Sequence, residues 1–342
     1  MRLEEFDYYL PEGLIAQHPI YPRDHARLMV LNRKDQSITH KKFFQIIDYF
    51  KSGDVLVLNN TKVIRARIKG VNKETGGKRE VFLLKQRSGF EWLALTRPNR
   101  RIHPGDRIVV NEDVTIEVKE KGSNGENVVQ FVSKSNLSMR EILESIGNVP
   151  LPPYIKGKIT DEKEYQTIFA EKEGAVASPT AGLHFTKVLL DALKNKGVII
   201  AYVTLHVGLG TFKPVKEEII EHHKMHEEEF FVPEETARIV NEAKEKGGRV
   251  FSCGTTVVRT LETASAYNGK LKSMSGKTKL FIKPGYPFKI VDAIITNFHF
   301  PRTTLLMLVS AFAGKEFALR AYDVAVKEHY RFYSFGDAML II

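Results

Sequence analysis

The sequence contains little that would support an exported, membrane-bound or zinc-stabilised protein. Cys253 is the single cysteine among 342 residues, which excludes internal disulfides and cysteine-rich zinc sites. No apolar run reaches the ~20 residues of a membrane span, and the opening residues, MRLEEFDYYLPEG, lack the basic-then-apolar order of a secretory signal. We therefore expect a cytoplasmic protein without membrane association, although many exported proteins are also poor in cysteine.

Acidic residues are scarce in one window of an otherwise ordinary composition. Lysine and arginine outnumber aspartate and glutamate by 51 to 41, a formal charge of +10. Between residues 62 and 107, thirteen basic residues stand against four acidic ones, a local net charge of +9. Such a concentration is typical of a surface that binds a polyanion, with nucleic acid the first candidate. A solvated basic face, or a generally lysine-rich proteome, would give the same count.

The same window also lacks helical periodicity. Short alternating segments predict strands at 63–68, 80–85, 90–96, 106–110, 114–118 and 127–132. We predict a small closed β-barrel domain at 62–149, inserted into a mixed α/β main body formed by 1–61 and 150–342. A helix at 138–146 is expected to leave the barrel, and the proline-rich segment 150–154 to lead back to the main body.

Helix and strand patterns alternate in the main body, as in a sheet covered on both faces. Helices are predicted at 40–50, 186–197, 234–246, 255–267, 303–313 and 316–330, and strands at 54–58, 198–207, 249–253, 279–282, 290–295 and 338–342. In open α/β sheets, ligands collect outside the carboxyl ends of the strands. The polar turns that follow these strands are therefore the first candidate sites.

Two such turns flank the helix and strand between residues 178 and 213. The first turn contains Thr180, Gly182 and His184, and the second contains His206, Gly208, Gly210 and Thr211. Imidazoles suit proton transfer, and glycine-rich turns offer backbone N–H groups to a ligand. A Gly-X-Gly after a strand is often only a tight turn, however, and a single histidine is more often packed than catalytic.

Gly254-Thr255-Thr256, between a strand and a helix, is the second candidate. The N–H groups and dipole at a helix start can hold a carboxylate or phosphate, and Arg259, one turn further, can add a bidentate contact. Glu262 is a candidate to hold that guanidinium in place. The alternative is a capped helix with a surface Arg–Glu pair.

Other polar turns offer weaker candidates. Asn297 and His299 follow a predicted strand, and Tyr286 lies in a turn where its ring could stack on a base. Asn59 and Asn60 could bind a ligand or simply cap their turn. Packing explains the tyrosine equally well.

His222, His223 and His226 resemble a metal-binding cluster because His222 and His226 are four residues apart. The segment is not H-E-x-x-H, since no glutamate follows the first histidine. We predict no metal. A metal-dependent hydrolase built on these histidines remains an alternative, as does a non-catalytic RNA-binding protein with a β-barrel module.

Within the basic window, the segment 97–101 is a loop with exposed character. Arg97, Arg100 and Arg101 are expected to contact nucleic-acid phosphates.

In eleven short strings along its length, the chain closely resembles the S-adenosylmethionine:tRNA ribosyltransferase-isomerase family of queuosine biosynthesis. The matching strings are RLMVL (27–31), LNNTKV (58–63), PLPPYIK (150–156), PTAGLHFT (179–186), TLHVGLGTF (204–212), MHEEE (225–229), GTT with RTLE (254–262), PGYPF (284–288), NFHFP (297–301), LMLVSAFAG (306–314) and FGDAMLI (335–341). Arg65 and Val257 stand where proline and serine are frequent in the family. Among the basic residues we therefore favour Arg67 over Arg65 as a tRNA contact.

The resemblance implies that the ribosyl portion of S-adenosylmethionine is transferred to 7-aminomethyl-7-deazaguanine at the wobble position of a tRNA. The product is epoxyqueuosine in tRNA, and adenine and methionine are released. S-adenosylmethionine is then a co-substrate and no cofactor is expected; a monomer is sufficient. His184, His206 and His299 are the acid–base candidates. The substrate-binding candidates are Thr180, Gly182, Gly208, Gly210, Thr211, Thr255, Thr256, Arg259, Tyr286 and Asn297, and those for tRNA are Arg67, Arg97, Arg100 and Arg101.

Overall fold

The computed structural model describes residues 1–122, 125–156, 161–208, 215–266 and 268–342. The chain divides into two compact units. The α/β unit comprises Met1–Lys62, Pro152–Lys172 and Ser178–Ile342, and the barrel unit comprises Val63–Leu151 and Glu173–Ala177. The α/β unit contains a large sheet with helices, and the barrel unit contains a closed antiparallel barrel. The predicted mixed α/β fold that includes a small all-β barrel is thus confirmed.

The regular elements are as follows. The strands are β1 Arg27–Asn32, β2 Ser37–Lys42, β3 Val55–Asn59, β4 Thr61–Val63, β5 Arg67–Asn72, β6 Lys78–Ser88, β7 Glu91–Arg97, β8 Arg107–Val109, β9 Val114–Lys121, β10 Glu126–Ser133, β11 Lys172–Ala175, β12 Ile199–Leu205, β13 Glu228–Val232, β14 Val250–Cys253, β15 Met274–Thr278, β16 Ala293–Asn297 and β17 Ala338–Ile341. The α-helices are α1 Met139–Ile146, α2 Lys187–Asn195, α3 Glu234–Glu245, α4 Thr255–Thr263, α5 Thr304–Ala313 and α6 Lys315–Lys327. Short 3₁₀ segments include Arg23–His25, Phe43–Tyr49, Asn99–Arg101 and Thr180–His184.

A nine-stranded sheet runs through the α/β unit in the order β15-β13-β12-β3-β14-β16-β17-β1-β2. The strands β12, β3, β14 and β16 are parallel neighbours; Val57 lies opposite both Ala201 and Ser252. On one side β13 and β15 add antiparallel pairs. On the other, β17 pairs antiparallel with β16 and parallel with β1, so that the β1–β2 hairpin joins the sheet through β17.

The centre of this sheet is apolar because both of its faces are covered. All five residues of β3 and all five of β16 are buried, as a buried parallel strand requires. On one face Leu56, Phe251 and Ile295 form a core with Leu189 and Leu193 of α2. The helix is held at its start by the hydroxyl of Thr186, which accepts the N–H of Leu189.

Gly197 ends the turn that follows α2. Its φ is +87°, and a Cβ there would lie 2.4 Å from Oγ of Ser52. Glycine is therefore required at this position both by the backbone conformation and by the close approach of the neighbouring chain.

Two predicted elements of the main body are wrong. Residues 40–50 do not form one helix: β2 ends at Lys42, and a 3₁₀ segment follows at Phe43–Tyr49. The strand predicted at 279–282 lies earlier, at Met274–Thr278. The backbone of Leu280 is instead bonded to side chains, since its N–H donates to Thr278 Oγ1 and its carbonyl accepts from Arg259 Nε.

The barrel unit closes in the order β10-β7-β6-β5-β8-β9, with every pair antiparallel. Alternate residues such as Val81, Ala94 and Ile116 are fully buried inside it. At the junction of β5 and β8 a Cβ on Gly70 would lie 2.6 Å from the carbonyl oxygen of Val109. Only glycine permits that approach. The strands β4 and β11 form a separate two-stranded sheet.

Among the described residues, no helix is both long enough and apolar enough to span a membrane.

Candidate functional site at the carboxyl edge of the parallel strands

The four parallel strands end at the same edge of the sheet, and each is followed by polar residues. His206 and Gly208 follow β12, Asn60 follows β3, Gly254 follows β14, and Asn297 is the last residue of β16. Parallel strands place their carboxyl ends together. The structure therefore gathers turns that are far apart in the sequence.

A cavity lies at this edge, within the α/β unit. Its polar lining comes from four segments: Ser178 and Thr180; Gly254, Thr255 and Thr256; Thr296, Asn297 and His299; and Ser334. Its volume is about 50 Å³, so that a nucleoside-sized ligand would require the surrounding turns to move apart. The lining brings together five residues that the sequence singled out, Thr180, Thr255, Thr256, Asn297 and His299.

Asn297 connects the first turn to the sheet edge. Its Oδ1 accepts the hydroxyl of Thr180 at 3.0 Å, and its Nδ2 lies 3.1 Å from Nε2 of His184. Because the amide nitrogen can only donate, Nε2 of His184 is the acceptor and the ring carries its proton on Nδ1. His184 is thereby fixed behind Asn297, and it is not among the residues that line the cavity.

His184 is neutral at physiological pH. Burial, and then the positive charge of Arg23, lower its pKa from 6.5 to about 3. The imidazole also stacks on the ring of Phe43, with 4.9 Å between the centroids. These contacts suit a group that orients Asn297.

His299 lines the cavity directly and is also neutral. Burial lowers its pKa to about 3. Its Nε2 lies 2.8 Å from the hydroxyl of Thr296, and its backbone N–H donates to the hydroxyl of Tyr322 at 3.1 Å. Its backbone carbonyl accepts from the hydroxyl of Tyr8. One ring nitrogen is therefore held by the Thr296 side chain, and the backbone of His299 is held by the hydroxyls of Tyr322 and Tyr8.

His206 lies in a different place from the other two histidines. Its Nδ1 is 2.8 Å from the hydroxyl of Thr61, and burial lowers its pKa against the opposing effect of Glu229. It lines a second cavity of about 390 Å³, whereas the next residue, Val207, lines the first. His206 and Val207, the two residues after β12, thus line different cavities, and the structure does not bring the three histidines into one cavity.

Asn59 and Asn60 bind protein groups. Asn59 Nδ2 donates to the carbonyl of Leu205 at 3.0 Å and to Thr256 Oγ1 at 3.3 Å, which ties β3 to β12 and to the start of α4. Asn60 Oδ1 accepts the hydroxyl of Thr204 at 2.7 Å. Asn59 Oδ1 also accepts the N–H of Thr61 at 3.1 Å, which is the turn cap that the sequence allowed as one alternative.

Arg259 is buried, and its partner is not the one expected. Its Nη1 donates to Oε2 of Glu228, itself only 4% exposed, and its Nε donates to the carbonyl of Leu280. Glu262 binds elsewhere: its carboxylate accepts the backbone N–H groups of 289–291 and the hydroxyl of Tyr286. The hypothesis that Glu262 holds Arg259 is therefore wrong.

Glu228 is the residue that sequence reasoning missed. Besides Arg259 it binds the turn after β12, because its Oε1 accepts the N–H of Gly208 at 3.1 Å. Burial alternates along β13, with Glu228, Phe230 and Val232 inward. A period of two through EEFFV would have placed this glutamate on the buried face with the apolar residues.

Gly182 and Tyr286 are not among the residues that line the first cavity. Gly182 is a packing position, since a Cβ there would lie 2.7 Å from the ring of Phe169. Tyr286 lies with its hydroxyl 3.4 Å from Glu262. Gly210 and Thr211 fall outside the described residues. Within the described ranges, no group of three or more His, Cys, Asp and Glu side chains is arranged to hold a metal ion, and His223 pairs with Glu217 at 2.9 Å.

In the barrel unit, hydrogen bonds fix the backbone of the predicted basic loop at 97–101. Arg97, Arg100 and Arg101 are exposed. The loop is fixed by Asn127, whose Nδ2 donates to Thr96 Oγ1 and to Asn99 Oδ1, each at 2.8 Å. The geometry allows the loop guanidinium groups to meet phosphates without first ordering the backbone.

Arg67 differs from the loop arginines because its guanidinium pairs with Glu80. Its Nε and Nη2 lie 2.9 Å and 2.8 Å from Oε2 of that carboxylate. Its positive charge is therefore already partly balanced within the barrel unit.

Comparison with known proteins finds similar chains over the whole length. The sequence profile of the family described as queuosine biosynthesis protein matches residues 3–341. Three proteins named S-adenosylmethionine:tRNA ribosyltransferase-isomerase are similar over the full length of both chains: 54% identical in a Sulfurihydrogenibium species, 52% in Clostridium kluyveri and 51% in Caldanaerobacter subterraneus.

A solved structure is similar as well. The crystal structure of S-adenosylmethionine tRNA ribosyltransferase from Thermotoga maritima is 42% identical, with a TM-score of 0.58, and the match covers 99% of this chain and 100% of that one. The family resemblance read from the sequence is thus confirmed. The chain belongs to the queuosine biosynthesis protein family, that of the S-adenosylmethionine:tRNA ribosyltransferase-isomerases.

Proposed function

We propose that this protein transfers and isomerises the ribosyl portion of S-adenosylmethionine onto 7-aminomethyl-7-deazaguanine at the wobble position of a tRNA. Epoxyqueuosine-tRNA is formed, and adenine and methionine are released. The observation that carries the proposal is the identity of 51–54% over the full length of three enzymes named for this activity. S-adenosylmethionine is consumed as a co-substrate, and we propose that no further cofactor takes part.

The α/β unit is proposed to carry the chemistry, with residues 1–61 and 150–342 as the catalytic domain. Thr180, Thr255, Thr256 and Asn297, which line the first cavity, would bind the methionine and ribose groups together with Gly208. Arg259 would act there through Glu228, because its Nη1 is already bonded to that carboxylate. These assignments rest on position and hydrogen-bonding capacity.

Proton transfer is proposed for the histidines. The reaction needs a base that removes a proton from the ribose carbon beside the sulfonium, whose charge stabilises the carbanion, and an acid that assists the departure of adenine. A lowered pKa keeps His206 and His299 neutral at physiological pH, the form that a base requires. Thr61 holds Nδ1 of His206, which leaves Nε2 for a substrate.

The barrel domain, residues 62–149, is proposed to contact tRNA. Arg97, Arg100 and Arg101 would meet phosphates, and Arg67 would contribute less because Glu80 balances its charge. We further propose that the protein acts as a monomer in the cytoplasm.

The test uses purified protein, S-adenosylmethionine and tRNA that carries 7-aminomethyl-7-deazaguanine. Chromatography should detect free adenine and methionine in equal amounts, and mass spectrometry should detect the added ribosyl portion on the tRNA. Transfer of a methyl group, or unaltered tRNA, would refute the proposal. The same reaction with tRNA that lacks the modified base is the control and should release no adenine.

A further inference from the structure

One face of the sheet is left open at the edge formed by β12, β13 and β15. Thr204, Phe231 and Ser275 lie side by side across these strands. His206 lies one residue beyond the end of β12, where its N–H donates to the carbonyl of Glu229, and Lys277 of β15 pairs with the same Glu229. Both residues are two positions beyond Thr204 and Ser275, and they share this face. These residues, together with Glu229, Phe230 and Gly276, line the cavity of about 390 Å³.

Phe231 is the unusual residue of this cavity. It is 43% exposed, whereas its neighbour Phe230 on the opposite face is 4% exposed. An exposed aromatic ring surrounded by an imidazole, hydroxyls and an ammonium group has the composition of a nucleobase site: the ring supplies a stacking surface, and the polar groups bond to base edges and to the backbone.

The segment that contains the edge strand β15 is basic, while Glu229 of the neighbouring strand contributes one carboxylate to the cavity. Between residues 270 and 283 there are five lysines and no acidic residue. Lys277 and Lys279 also contact Glu227, at 3.2 and 2.9 Å, in pairs that are open to solvent. Exposed pairs of this kind contribute little, so phosphate groups can displace them.

His206 lies between this cavity and the first one, since the next residue, Val207, lines the cavity at the carboxyl edge of the parallel strands. The hydroxyl of Thr61 fixes the orientation of its ring through Nδ1. A base stacked on Phe231 would therefore meet an oriented imidazole next to the turn that lines the first cavity.

We propose that this cavity binds a nucleobase of an RNA strand, with Phe231 as the stacking surface and Lys277 near the phosphates, so that the base lies beside His206, the proton-transfer candidate of the proposed function. The proposal rests on the proposed function, because it gives the RNA substrate a place on the α/β unit. A purine ring could also be supplied by the adenosyl group of S-adenosylmethionine, and the experiment separates the two sources.

The first experiment measures the affinity of the full-length protein for a fluorescein-labelled RNA hairpin with an anticodon-arm sequence, by fluorescence anisotropy. Phe231→Leu keeps an apolar side chain but removes the stacking surface, and should weaken binding about tenfold. Phe231→Tyr retains the ring and should bind as the wild type does. Phe44→Leu is the matched control, since Phe44 is 42% exposed elsewhere in the same unit; it should bind normally.

A second pair of variants fills the cavity with charge instead of removing the ring. Ser275→Glu places a carboxylate opposite Phe231 and should weaken hairpin binding by a similar factor, while Ser275→Asn should not. Unchanged affinity in both Phe231→Leu and Ser275→Glu would overturn the proposal. So would a raised KM for S-adenosylmethionine in Phe231→Leu with normal hairpin affinity, because the cavity would then hold the adenosyl group.

The binding measurement requires no turnover, so it is independent of the proposed reaction. If wild-type protein bound the hairpin through Phe231 but released no adenine from S-adenosylmethionine with modified tRNA, the proposed reaction would fail while the RNA site stood.

Discussion

The two units use arginine in opposite ways. In the α/β unit, Arg259 is 4% exposed and lies against a buried carboxylate, Glu228. In the barrel unit, Arg97, Arg100 and Arg101 are exposed on a loop that side-chain amides hold in place. A buried charge cannot lose its partner without a large cost, whereas an exposed charge can exchange water for a phosphate.

This difference predicts which property of the protein each kind of substitution will change. Changes among the buried polar groups of the α/β unit should alter stability and chemistry together, because groups such as Asn59, Asn297 and Glu228 are bonded to neighbouring segments. Changes in the barrel loop should alter RNA affinity and its dependence on salt, and leave folding unaffected.

Removing Glu228 should give the largest effect. Glu228→Ala leaves the guanidinium of Arg259 buried without its counter-charge and frees the N–H of Gly208, which should lower the free energy of unfolding by about 3–5 kcal/mol. Urea unfolding would measure the loss. Glu242→Ala removes an exposed pair with Arg238 and should cost no more than about 0.5 kcal/mol. Equal stabilities of the two variants would remove the distinction between buried and exposed pairs.

Substitution of His206 tests the chemistry at the sheet edge. If this imidazole transfers a proton, His206→Ala should slow adenine release about 100-fold and leave the urea midpoint nearly unchanged, because the side chain is only half-buried. The exposed His222 provides the control, and His222→Ala should react at the wild-type rate. A fully active His206→Ala would exclude this residue from proton transfer.

The buried histidines should make stability depend on pH. Burial lowers the pKa of His299 from 6.5 to about 3, so the unfolded chain binds a proton between those values and the folded one does not. The contribution of each such histidine to the free energy of unfolding is fully present above pH 6.5. It is lost as the pH drops toward 3, by up to about 1.4 kcal/mol per pH unit.

His299→Gln should therefore flatten the fall in unfolding free energy below pH 6.5 by about that amount per pH unit. Urea titrations at several pH values would show it, with His222→Gln as the exposed control. Identical slopes for wild type and His299→Gln would mean that His299 is not desolvated in the folded protein.

The loop of the barrel unit should give the smallest change. Arg100→Gln should weaken tRNA binding on the order of fivefold near 0.15 M salt and make the slope of log K against log salt shallower by about 0.9, the value of one lost phosphate contact. Arg140→Gln, whose charge is paired with Glu144, is the control. An unchanged salt slope in Arg100→Gln would place the RNA elsewhere.

Local pattern predicted the strands and the edge at which the polar residues gather. Apolar runs at 54–58 and 249–253 correspond to Val55–Asn59 and Val250–Cys253, because a strand buried on both faces leaves a continuous apolar signal. From there, the rule that parallel strands end together was enough to bring Gly254, Asn297 and the turn after β12 to one edge.

Partners across long separations could not be predicted in the same way. Thr180 and Asn297 are 117 residues apart, and Glu228 and Arg259 are 31 apart. The sequence around Arg259 does not show that it pairs with Glu228 and not with Glu262, which is nearer in sequence. The pairing follows from the position of β13 beside β12. Likewise, His206 and Val207 line different cavities after the end of β12, which composition does not reveal.

The position of β17 also has a consequence for how the protein is made. β1 and β2 are synthesised early, but their link to the other strands is residues 338–341, which leave the ribosome some 300 residues later. Until then the nascent hairpin has an open edge and too few strands to be stable alone. The edge of this hairpin therefore stays unpaired during most of translation. A truncation that removed Ala338–Ile341 would remove the strand that pairs the hairpin with the rest of the sheet.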